Sequence, residues 1–330
     1  MTDRARSTVV PAGMRPIALV GTTASGKSTL ALEVARHRGD VELVSVDSMQ
    51  VYRGMDIGTA KPSPDEQAEV VHHLIDVVDP WEPFEVHTFQ SAVASVLADV
   101  HSRGRRALLV GGTGLYLRAV VDGFEIPGRF PEVAAELELT PDTAESTVVL
   151  HRRLADLDPR AAERMEPTNR RRVIRALEVC LGSGRPFSSF GPGLDAFPPA
   201  PVRMVGVRLP QPVVADRIER RYRRQMIDGF LDEVRTLRSG PPMSRTAAQA
   251  LGYRELAAHL DAFERGDDHP NLEEALDEAI RRTRAFARRQ RAWFRRDPRI
   301  SWLDADLFPA DVIGDLLEIA DRHWADTPGR

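Results

Sequence analysis

A phosphate-binding loop between a short apolar run and a helical pattern is the feature that most constrains the fold. The apolar run covers 17–20, and 29–37 shows the apolar spacing of a helix. Between them lies a stretch that fits G-x-x-x-x-G-K-[ST], namely Gly21, Thr22, Thr23, Ala24, Ser25, Gly26, Lys27 and Ser28. In such a loop backbone N–H groups wrap phosphates, the lysine adds positive charge and the last hydroxyl is offered to Mg²⁺. The order strand, loop, helix predicts a parallel α/β sheet.

The scarcity of lysine supports a chemical role for this loop. Of the 45 basic residues 43 are arginine, and the two lysines are Lys27 and Lys61. A flat guanidinium is too large and too fork-shaped for the lysine position of a phosphate loop. We therefore interpret Lys27 as a residue required for its compact ammonium group.

Two further apolar runs, 41–46 and 106–110, predict strands with chemically distinct ends. The first is followed by Asp47, and the second by glycines and Thr113. Because the carboxyl ends of parallel strands meet at one edge of a sheet, we expect Asp47 and Thr113 to lie beside the phosphate loop. Another strand is predicted over 203–209, and helices are predicted over 88–103, 213–239, 245–263 and 271–296.

A change in sequence texture predicts a domain inserted into this sheet. Glycine and proline interrupt the chain after residue 122, and 146–182 is helical and rich in arginine. The predicted fold is therefore α/β, a P-loop-containing parallel sheet core flanked by helices, with a mostly helical insertion domain. We assign the sheet domain to 14–122 and 201–323, the insertion to 123–200, and flexible tails to 1–13 and 324–330.

Composition is typical of a soluble, cytoplasmic enzyme. Hydrophobic residues make up 42% and charged residues 28% of the 330 positions, and no run of about 18 apolar residues occurs. The single cysteine, Cys180, excludes an internal disulfide and lies in an apolar helical pattern, so we predict a buried thiol. His72 and His73 lack a third ligand at usable spacing and are interpreted as structural or surface residues.

The net charge of −4 argues against a dedicated nucleic-acid binder, but the distribution of arginine argues for a polyanion partner. Arginine is dense in 170–175, in 217–224 and above all in 281–299, where Asp297 is the one acid. Spacings of three and four predict a row on one helix face with no acids to offset it: Arg281, Arg284, Arg288, Arg291 and Arg295. A solvated helix face and a polyanion-binding surface both remain open.

A phosphate loop is most often part of an ATPase, a GTPase or a small-molecule kinase. Phosphoryl-transfer enzymes usually hold Mg²⁺ with a second acid at the end of a strand. The strand at 106–110 ends in glycines instead, although Asp47 remains as one carboxylate near the phosphates. The kinase interpretation is weakened and stays open.

Longer motifs make the chain similar to one family. It resembles the tRNA dimethylallyltransferase family, in family order and over about residues 15–304, in the segments GTTASGKS (21–28), SVDSMQVY (45–52), GMDIGTAKP (54–62), GGTGLY (111–116), RALE (175–178), GYRE (252–255) and RRQRAWFRR (288–296). The segment at 54–62 is long and specific, and it contains the other lysine, Lys61.

This resemblance implies transfer of a dimethylallyl group from its diphosphate to N6 of the adenosine just 3′ of a tRNA anticodon. The loop 21–28 would hold the diphosphate, with Mg²⁺ on Ser28, and Lys27 would neutralise the charge on the leaving group. Thr23, Arg217 and Arg221 would contact the diphosphate, although each arginine has Asp216 or Glu219 as an alternative partner. Asp47 would be the general base; a helix N-cap or a Mg²⁺ ligand is the alternative.

The same resemblance implies residues that contact tRNA. Ser48, Met49 and Gln50 would line a pocket for the unstacked adenine, with Thr113 as a further contact. Arg171 and Arg172 would contact the tRNA backbone. For Trp293 and Phe294, core packing is favoured over base stacking.

Two departures from the family pattern affect these expectations. The loop begins Gly-Thr-Thr where Gly-Pro-Thr is more usual, and Ala134 stands where the family commonly has an arginine that meets tRNA. We carry no role over to Ala134, and Arg129 is the candidate replacement. The alternatives to a monomeric tRNA prenyltransferase are an ATP-dependent kinase, an enzyme that prenylates free adenine nucleotides, and a non-catalytic RNA-binding module.

Overall fold

The computed structural model describes residues 9–191, 193–306 and 308–325. These residues form two compact units. Gly123–Pro198 makes one, and the described residues up to Asp122 and from Pro199 onward make the other. The insertion predicted over 123–200 differs from the smaller unit by two residues at its C-terminal boundary.

The larger unit is built on a parallel sheet. Within the described residues the sheet has six strands, in the order β3-β2-β4-β1-β5-β6, and every pair is parallel. The strands are β1 (Ile17–Gly21), β2 (Val41–Val46), β3 (His72–His73), β4 (Arg106–Gly111), β5 (Arg203–Arg208) and β6 (Ser301–Asp304). All residues of β1 and β2 are buried, as expected for parallel strands that helices cover on both faces.

Helices flank this sheet, and their termini follow capping chemistry. In α2 (Pro64–Glu69), Ser63 and Glu66 form a reciprocal capping box, and Asn271 and Glu274 form another at the start of α12 (Leu272–Arg295). The remaining helices of this unit are α1 (Lys27–Arg38), α3 (Val86–Ser102), α4 (Gly114–Val121), α9 (Gln211–Ile227), α10 (Phe230–Arg238), α11 (Tyr253–Arg265) and α13 (Ile313–Ala325).

The smaller unit is helical and has its own apolar core. It contains α5 (Pro131–Glu138), α6 (Ala144–Leu157), α7 (Pro159–Glu163) and α8 (Arg170–Ser183). Leu154 and Leu177 are fully buried in that core. Cys180 is buried beside them and its thiol accepts the Phe187 N–H at 3.3 Å, and burial raises its pKa. The prediction of a buried structural thiol is confirmed.

Several predicted boundaries were wrong, and the reasons are local. The helix predicted over 213–239 is interrupted at Asp228 and Gly229, because Gly229 has a φ of 99° that a continuous helix does not allow. The helix predicted over 245–263 starts only at Tyr253. A short 3₁₀ turn (Ala247–Gln249) precedes it. Strands β3 and β6 were not predicted.

The predicted tails were wrong where they meet the sheet domain. Val9 and Val10 are buried in its core. Trp324 lies in the last turn of α13, where it is buried and donates its indole N–H to the carbonyl of Arg15 at 2.8 Å. The rest of both predicted tails, 1–8 and 326–330, lies outside the described residues. None of the described helices is long and apolar enough to cross a membrane.

Candidate active site

The phosphate loop joins β1 to α1 and depends on two close backbone approaches. A Cβ at Gly21 would lie 2.7 Å from Oγ of Ser25 and 2.9 Å from the carbonyl of Val207 on β5. Gly26 has a φ of 84°, and a Cβ there would lie 2.1 Å from Cγ of Pro309. Glycine is therefore required at both ends of the loop, which leads through Gly26 into the N-terminus of α1, a position suited to an anion.

Lys27 occupies the first position of α1 and is half-buried. Burial lowers the pKa of its ammonium group to about 8, against the charge of Asp47 and reinforced by that of Arg221. Its Nζ lies 3.4 Å from the carbonyl of Thr22. Within the described ranges no carboxylate is in hydrogen-bond contact with this ammonium group, so a buried cation of this kind is suited to bind an anion.

Arg221 reaches the loop from α9. Its Nη1 donates to Oγ1 of Thr23 at 3.0 Å, while its buried Nε has no hydrogen-bond partner in the described part of the chain. Burial lowers the pKa of the guanidinium, against the charges of Tyr222 and Asp47. A buried N–H donor without a partner is costly, and an anion in the loop would remove that cost.

Arg217 lies one turn before Arg221 and also contacts the loop. Its Nε donates to the carbonyl of Ala24 at 2.8 Å, and burial together with Arg220 lowers its pKa, against the charge of Asp216. The alternative in which these arginines pair with acids of α9 is wrong for both. Asp216 and Glu219 pair instead with Arg220, Arg223 and Arg284.

Asp47 follows β2 at the same edge of the sheet. Its Oδ1 accepts the Met49 N–H at 2.8 Å, which fixes a short turn rather than starting a helix. The alternative of a helix N-cap is therefore wrong. Because β2 pairs with β4, the next residue, Ser48, meets Thr113, with 3.4 Å from its N–H to Oγ1. Asp47 and Thr113 thus lie at one edge with the loop, as expected.

Gln50 has a defined amide orientation. Its Oε1 accepts from Oγ of Ser45 at 2.8 Å, and its Nε2 donates to the carbonyls of Ala60 at 3.2 Å and Thr59 at 3.4 Å. Those carbonyls belong to the segment 54–62 that the sequence singled out. The Gln50 amide is therefore held by the hydroxyl of Ser45 on one side and by the two backbone carbonyls on the other.

Gln290 on α12 is a site residue that the sequence analysis did not single out. Its Oε1 accepts the Thr23 N–H and its Nε2 donates to the carbonyl of Gly112, each at 2.8 Å. A Cβ at Gly112 would lie 2.4 Å from that Nε2. The only available signal was its place in the RRQRAWFRR segment, which was interpreted for its arginines.

Comparisons with known proteins identify the family to which this chain belongs. A family model described as "IPP transferase" matches residues 50–297. The chain belongs to the IPP transferase family. A tRNA dimethylallyltransferase from Thermobifida fusca is 45% identical over 93% of this chain and 94% of its own length. Another, from Bifidobacterium animalis subsp. lactis, is 44% identical over 94% and 88%.

Solved structures of IPP transferases are similar over nearly the whole chain. A tRNA isopentenylpyrophosphate transferase from Bacillus halodurans is 35% identical with a TM-score of 0.67, over 95% of this chain and 97% of that one. A eukaryotic dimethylallyltransferase acting on tRNA is 24% identical with a TM-score of 0.75, over 93% and 78%, and this likeness concerns the fold. The predicted fold class and family are confirmed.

In this IPP transferase, carboxylates neutralise part of the arginine row of α12, contrary to the prediction from sequence. Arg281 pairs with Glu278 at 2.6 Å, and Arg284 pairs with Glu219 of α9 at 2.8 Å. Arg291 donates to the carbonyl of Leu209 at 3.0 Å. The expectation that no acids offset this row was wrong, because one acid precedes the row and another comes from a neighbouring helix.

The aromatic residues of α12 pack against the fold. Phe294 is buried in the core. Trp293 is partly buried, and a Cβ at Gly114, the first residue of α4, would lie 2.2 Å from its Nε1. The favoured core-packing role is confirmed for Phe294. Trp293 packs beside the residue that follows Thr113.

The histidine pair lies in the edge strand β3 and has structural partners. His73 contacts Oε2 of the buried Glu42 at 2.7 Å, and Nδ1 of His72 lies 2.7 Å from the carbonyl of Val70. The interpretation of these histidines as structural is confirmed. Across the described ranges, no group of three or more His, Cys, Asp or Glu side chains is arranged to hold a metal ion.

In the smaller unit, Arg171 and Arg172 lie exposed in the first turn of α8. Arg129 is also exposed and has a carboxylate oxygen of Glu178 at 3.9 Å from Nη1. Ala134 is half-buried in α5. The tRNA roles of Arg171, Arg172 and Arg129 stay predictions.

Proposed function

We propose that this chain transfers a dimethylallyl group from dimethylallyl diphosphate to N6 of the adenosine 3′-adjacent to the anticodon in tRNA. One observation carries the proposal: the cationic side chains of Lys27, Arg217 and Arg221 meet at the phosphate loop, where each contacts a loop residue. Burial lowers the pKa of all three, and the strand-end carboxylate of Asp47 acts electrostatically on Lys27 and Arg221. Membership of the IPP transferase family and the names of the relatives support the same reaction.

The cations act on the leaving group. As the bond between C1 of the dimethylallyl group and the diphosphate oxygen breaks, its electron pair stays on the diphosphate. In this proposal Lys27 and Arg221, whose Nε has no hydrogen-bond partner among the described residues, bind the departing diphosphate more tightly than the intact donor. Thr23 is already oriented by Arg221 and contributes a hydroxyl.

Asp47 acts on the nucleophile. The lone pair of an adenine N6 is delocalised into the ring, so the amine attacks C1 well only as it loses a proton. The carboxylate of Asp47 accepts that proton as the N6–C1 bond forms, and the proton then passes to solvent. The Met49 N–H on Oδ1 holds the carboxylate in one orientation during this step.

The residues present fit a Mg²⁺ ion. Mg²⁺ keeps most of its waters and usually takes one or two protein oxygens together with substrate phosphates. Ser28 is an exposed hydroxyl at the second position of α1, so it would hold the ion beside the diphosphate. When bound, the ion supplies positive charge to the diphosphate.

The adenosine side of the site is formed by Ser48, Met49, Gln50 and Thr113. Adenine must leave its stack to reach Asp47, and the contact between Ser48 and Thr113 lies next to that carboxylate. We further propose that Arg171 and Arg172 contact the tRNA backbone, and that the enzyme works in the cytoplasm as a monomer.

The test uses purified protein, Mg²⁺ and tRNA that lacks the modification, with either dimethylallyl diphosphate or ATP. Nucleosides from the digested tRNA are then examined by mass spectrometry. We expect one five-carbon prenyl group on adenosine, with the prenyl donor only. Absence of that product together with phosphate release from ATP would overturn the proposal in favour of a kinase or an ATPase.

A further inference from the structure

Glu233 on α10 holds three consecutive backbone N–H groups of the segment 54–62. Its Oε2 accepts from Asp56 at 2.9 Å and from Ile57 at 2.8 Å, and its Oε1 accepts from Gly58 at 3.2 Å. Three successive N–H groups that converge on one anion form a nest. Here the protein supplies the anion itself, so the segment is fixed by a side chain 175 positions away from Gly58.

The carboxylate of Glu233 is itself oriented. The buried Tyr253 donates its hydroxyl to Oε1 at 2.5 Å, and the amide of the buried Gln225 donates to the carbonyl of Ile57. Gly58 has no room for a side chain, since a Cβ would lie 2.3 Å from the ring of Phe230. The segment is therefore held by groups from α9, α10 and α11 together.

Lys61 fixes the far end of the same segment. Its Nζ donates to the carbonyl of Tyr52 at 2.6 Å and pairs with Asp56 at 2.6 Å and Asp76 at 2.5 Å, and its side chain is 3% exposed. Between Gly58 and Lys61 lie only Thr59 and Ala60. Their carbonyls are the acceptors for Nε2 of Gln50.

The contacts form one continuous connection from α10 to the adenosine side of the site. Glu233 fixes the backbone of Asp56–Gly58, and this backbone sets the positions of the Thr59 and Ala60 carbonyls. These carbonyls in turn determine which way the Nε2 end of the Gln50 amide faces. Ser45 completes the orientation by donating to Oε1 of Gln50. Among the residues that the structure describes, no hydrogen bond of this connection involves the phosphate loop, which the side chains of Gln290, Arg217 and Arg221 contact instead.

We infer that Glu233 is a positioning residue for the adenosine substrate, acting through the amide of Gln50. The inference rests on the proposed function, because it concerns the half of the site that receives adenosine. The inference predicts different effects on the two substrates. Loss of Glu233 misplaces the segment Asp47–Gln50, which faces the adenosine, and leaves diphosphate binding unchanged.

The test compares Glu233→Ala and Glu233→Gln with Asp232→Asn. Asp232 is the exposed preceding residue on α10, and it pairs only locally, with Arg235. For Glu233→Ala we expect kcat/KM for tRNA to fall between about 10-fold and 100-fold. KM for dimethylallyl diphosphate stays within about twofold of wild type. Glu233→Gln retains more activity, since its amide oxygen still accepts from Asp56 and Ile57.

Two further measurements distinguish positioning from a general loss of structure. Hydrogen exchange of the amides of Asp56, Ile57 and Gly58 speeds up in Glu233→Ala, while exchange in the phosphate loop does not change. In a Gln50→Ala background, Glu233→Ala costs little further kcat/KM for tRNA, because the residue it acts through is gone.

The outcomes are separable from failure of the proposed function. A wild-type protein that does not prenylate tRNA refutes that function and the inference with it. Two results would overturn the inference alone when the wild-type protein prenylates tRNA. One is that each Glu233 variant loses as much kcat/KM for dimethylallyl diphosphate as for tRNA. The other is that Glu233→Ala lowers kcat/KM for tRNA as much in the Gln50→Ala background as it does in wild type.

Discussion

Thr23 donates its backbone N–H to the side-chain oxygen of Gln290, which lies 267 positions later in the chain, over 2.8 Å. The amide of Gln290 is buried and donates in turn to the carbonyl of Gly112. The phosphate loop after β1, the glycines after β4 and the arginine-rich helix α12 are thus joined through one side chain. The position of the loop depends on α12 as well as on its own sequence.

Replacement of Gln290 by alanine leaves the Thr23 N–H and the Gly112 carbonyl without their partner. We expect the free energy of unfolding, measured by urea denaturation, to fall by about 1–3 kcal/mol. kcat/KM for dimethylallyl diphosphate should fall as well, because the loop loses its fixed position. Arg289→Ala is the control, since Arg289 is exposed and contacts Phe286 on its own helix. Equal behaviour of the two variants would contradict the role of Gln290.

Asp47→Asn removes the proton acceptor and keeps an oxygen for the Met49 N–H. We expect single-turnover prenyl transfer to slow by about 10²–10⁴-fold, the usual contribution of a general base. Binding of tRNA, measured by filter retention, should stay close to wild type. Asp267→Asn serves as the control, since Asp267 is a surface carboxylate paired with Arg265. Full turnover in Asp47→Asn would show that the base lies elsewhere.

The lowered pKa of Lys27 predicts a pH dependence of donor binding. Burial lowers this pKa to about 8, so the ammonium is charged below that pH and neutral above it. Affinity for dimethylallyl diphosphate should therefore fall as pH rises through about 8, relative to Lys27→Met measured in parallel. Calorimetric titration at several pH values tests this, and a constant ratio between the two proteins would contradict it.

The same pKa predicts the sign of a stability effect. In the folded protein the pKa of Lys27 lies below the ordinary lysine value of 10.5, so the unfolded chain holds more protons between about pH 8 and 10.5. This residue therefore makes the free energy of unfolding rise with pH in that window, and it destabilises the protein most below it. At pH 7 and without ligand, Lys27→Met should unfold at a higher temperature than wild type.

Arg171 and Arg172 predict a salt dependence of tRNA binding. If each arginine contacts one phosphate, alanine at either position makes the plot of log binding constant against log salt concentration less steep, by roughly 0.7–0.9 in slope. Arg265→Ala is the control, because Arg265 pairs with Asp267 on the surface of the larger unit. Binding measured from low to physiological salt checks this, and an unchanged slope in both variants would refute the contact.

The phosphate loop and the strand-end acid could be predicted because their signals are local. The apolar run before the loop and the Gly-Lys-Ser at its end fix both neighbours of the loop in the fold. The position of Asp47 follows from the rule that parallel strands end at one edge. The place of Arg217 and Arg221 rested on resemblance, since nothing in the order Asp-Arg-Ile-Glu-Arg-Arg (216–221) indicates which arginine avoids its neighbouring acids.

What could not be predicted depends on contacts between distant residues. Glu233 and Gln290 both act on backbone groups more than a hundred residues away, and no pattern around either one signals this. The pairing of Arg284 with Glu219 joins two helices in the same way. The strand β3 has only two residues, which is too short for an alternating pattern to be seen.

The contact between Thr23 and Gln290 also has a consequence for synthesis. A ribosome makes the phosphate loop early, but the loop acquires Arg217, Arg221 and Gln290 only after most of the chain has emerged. A nascent chain that carries the complete GTTASGKS sequence therefore still lacks the three side chains that contact the loop. Under the proposed function, donor binding depends on α12, so we expect unfinished chains neither to sequester the prenyl donor nor to modify tRNA beside the ribosome.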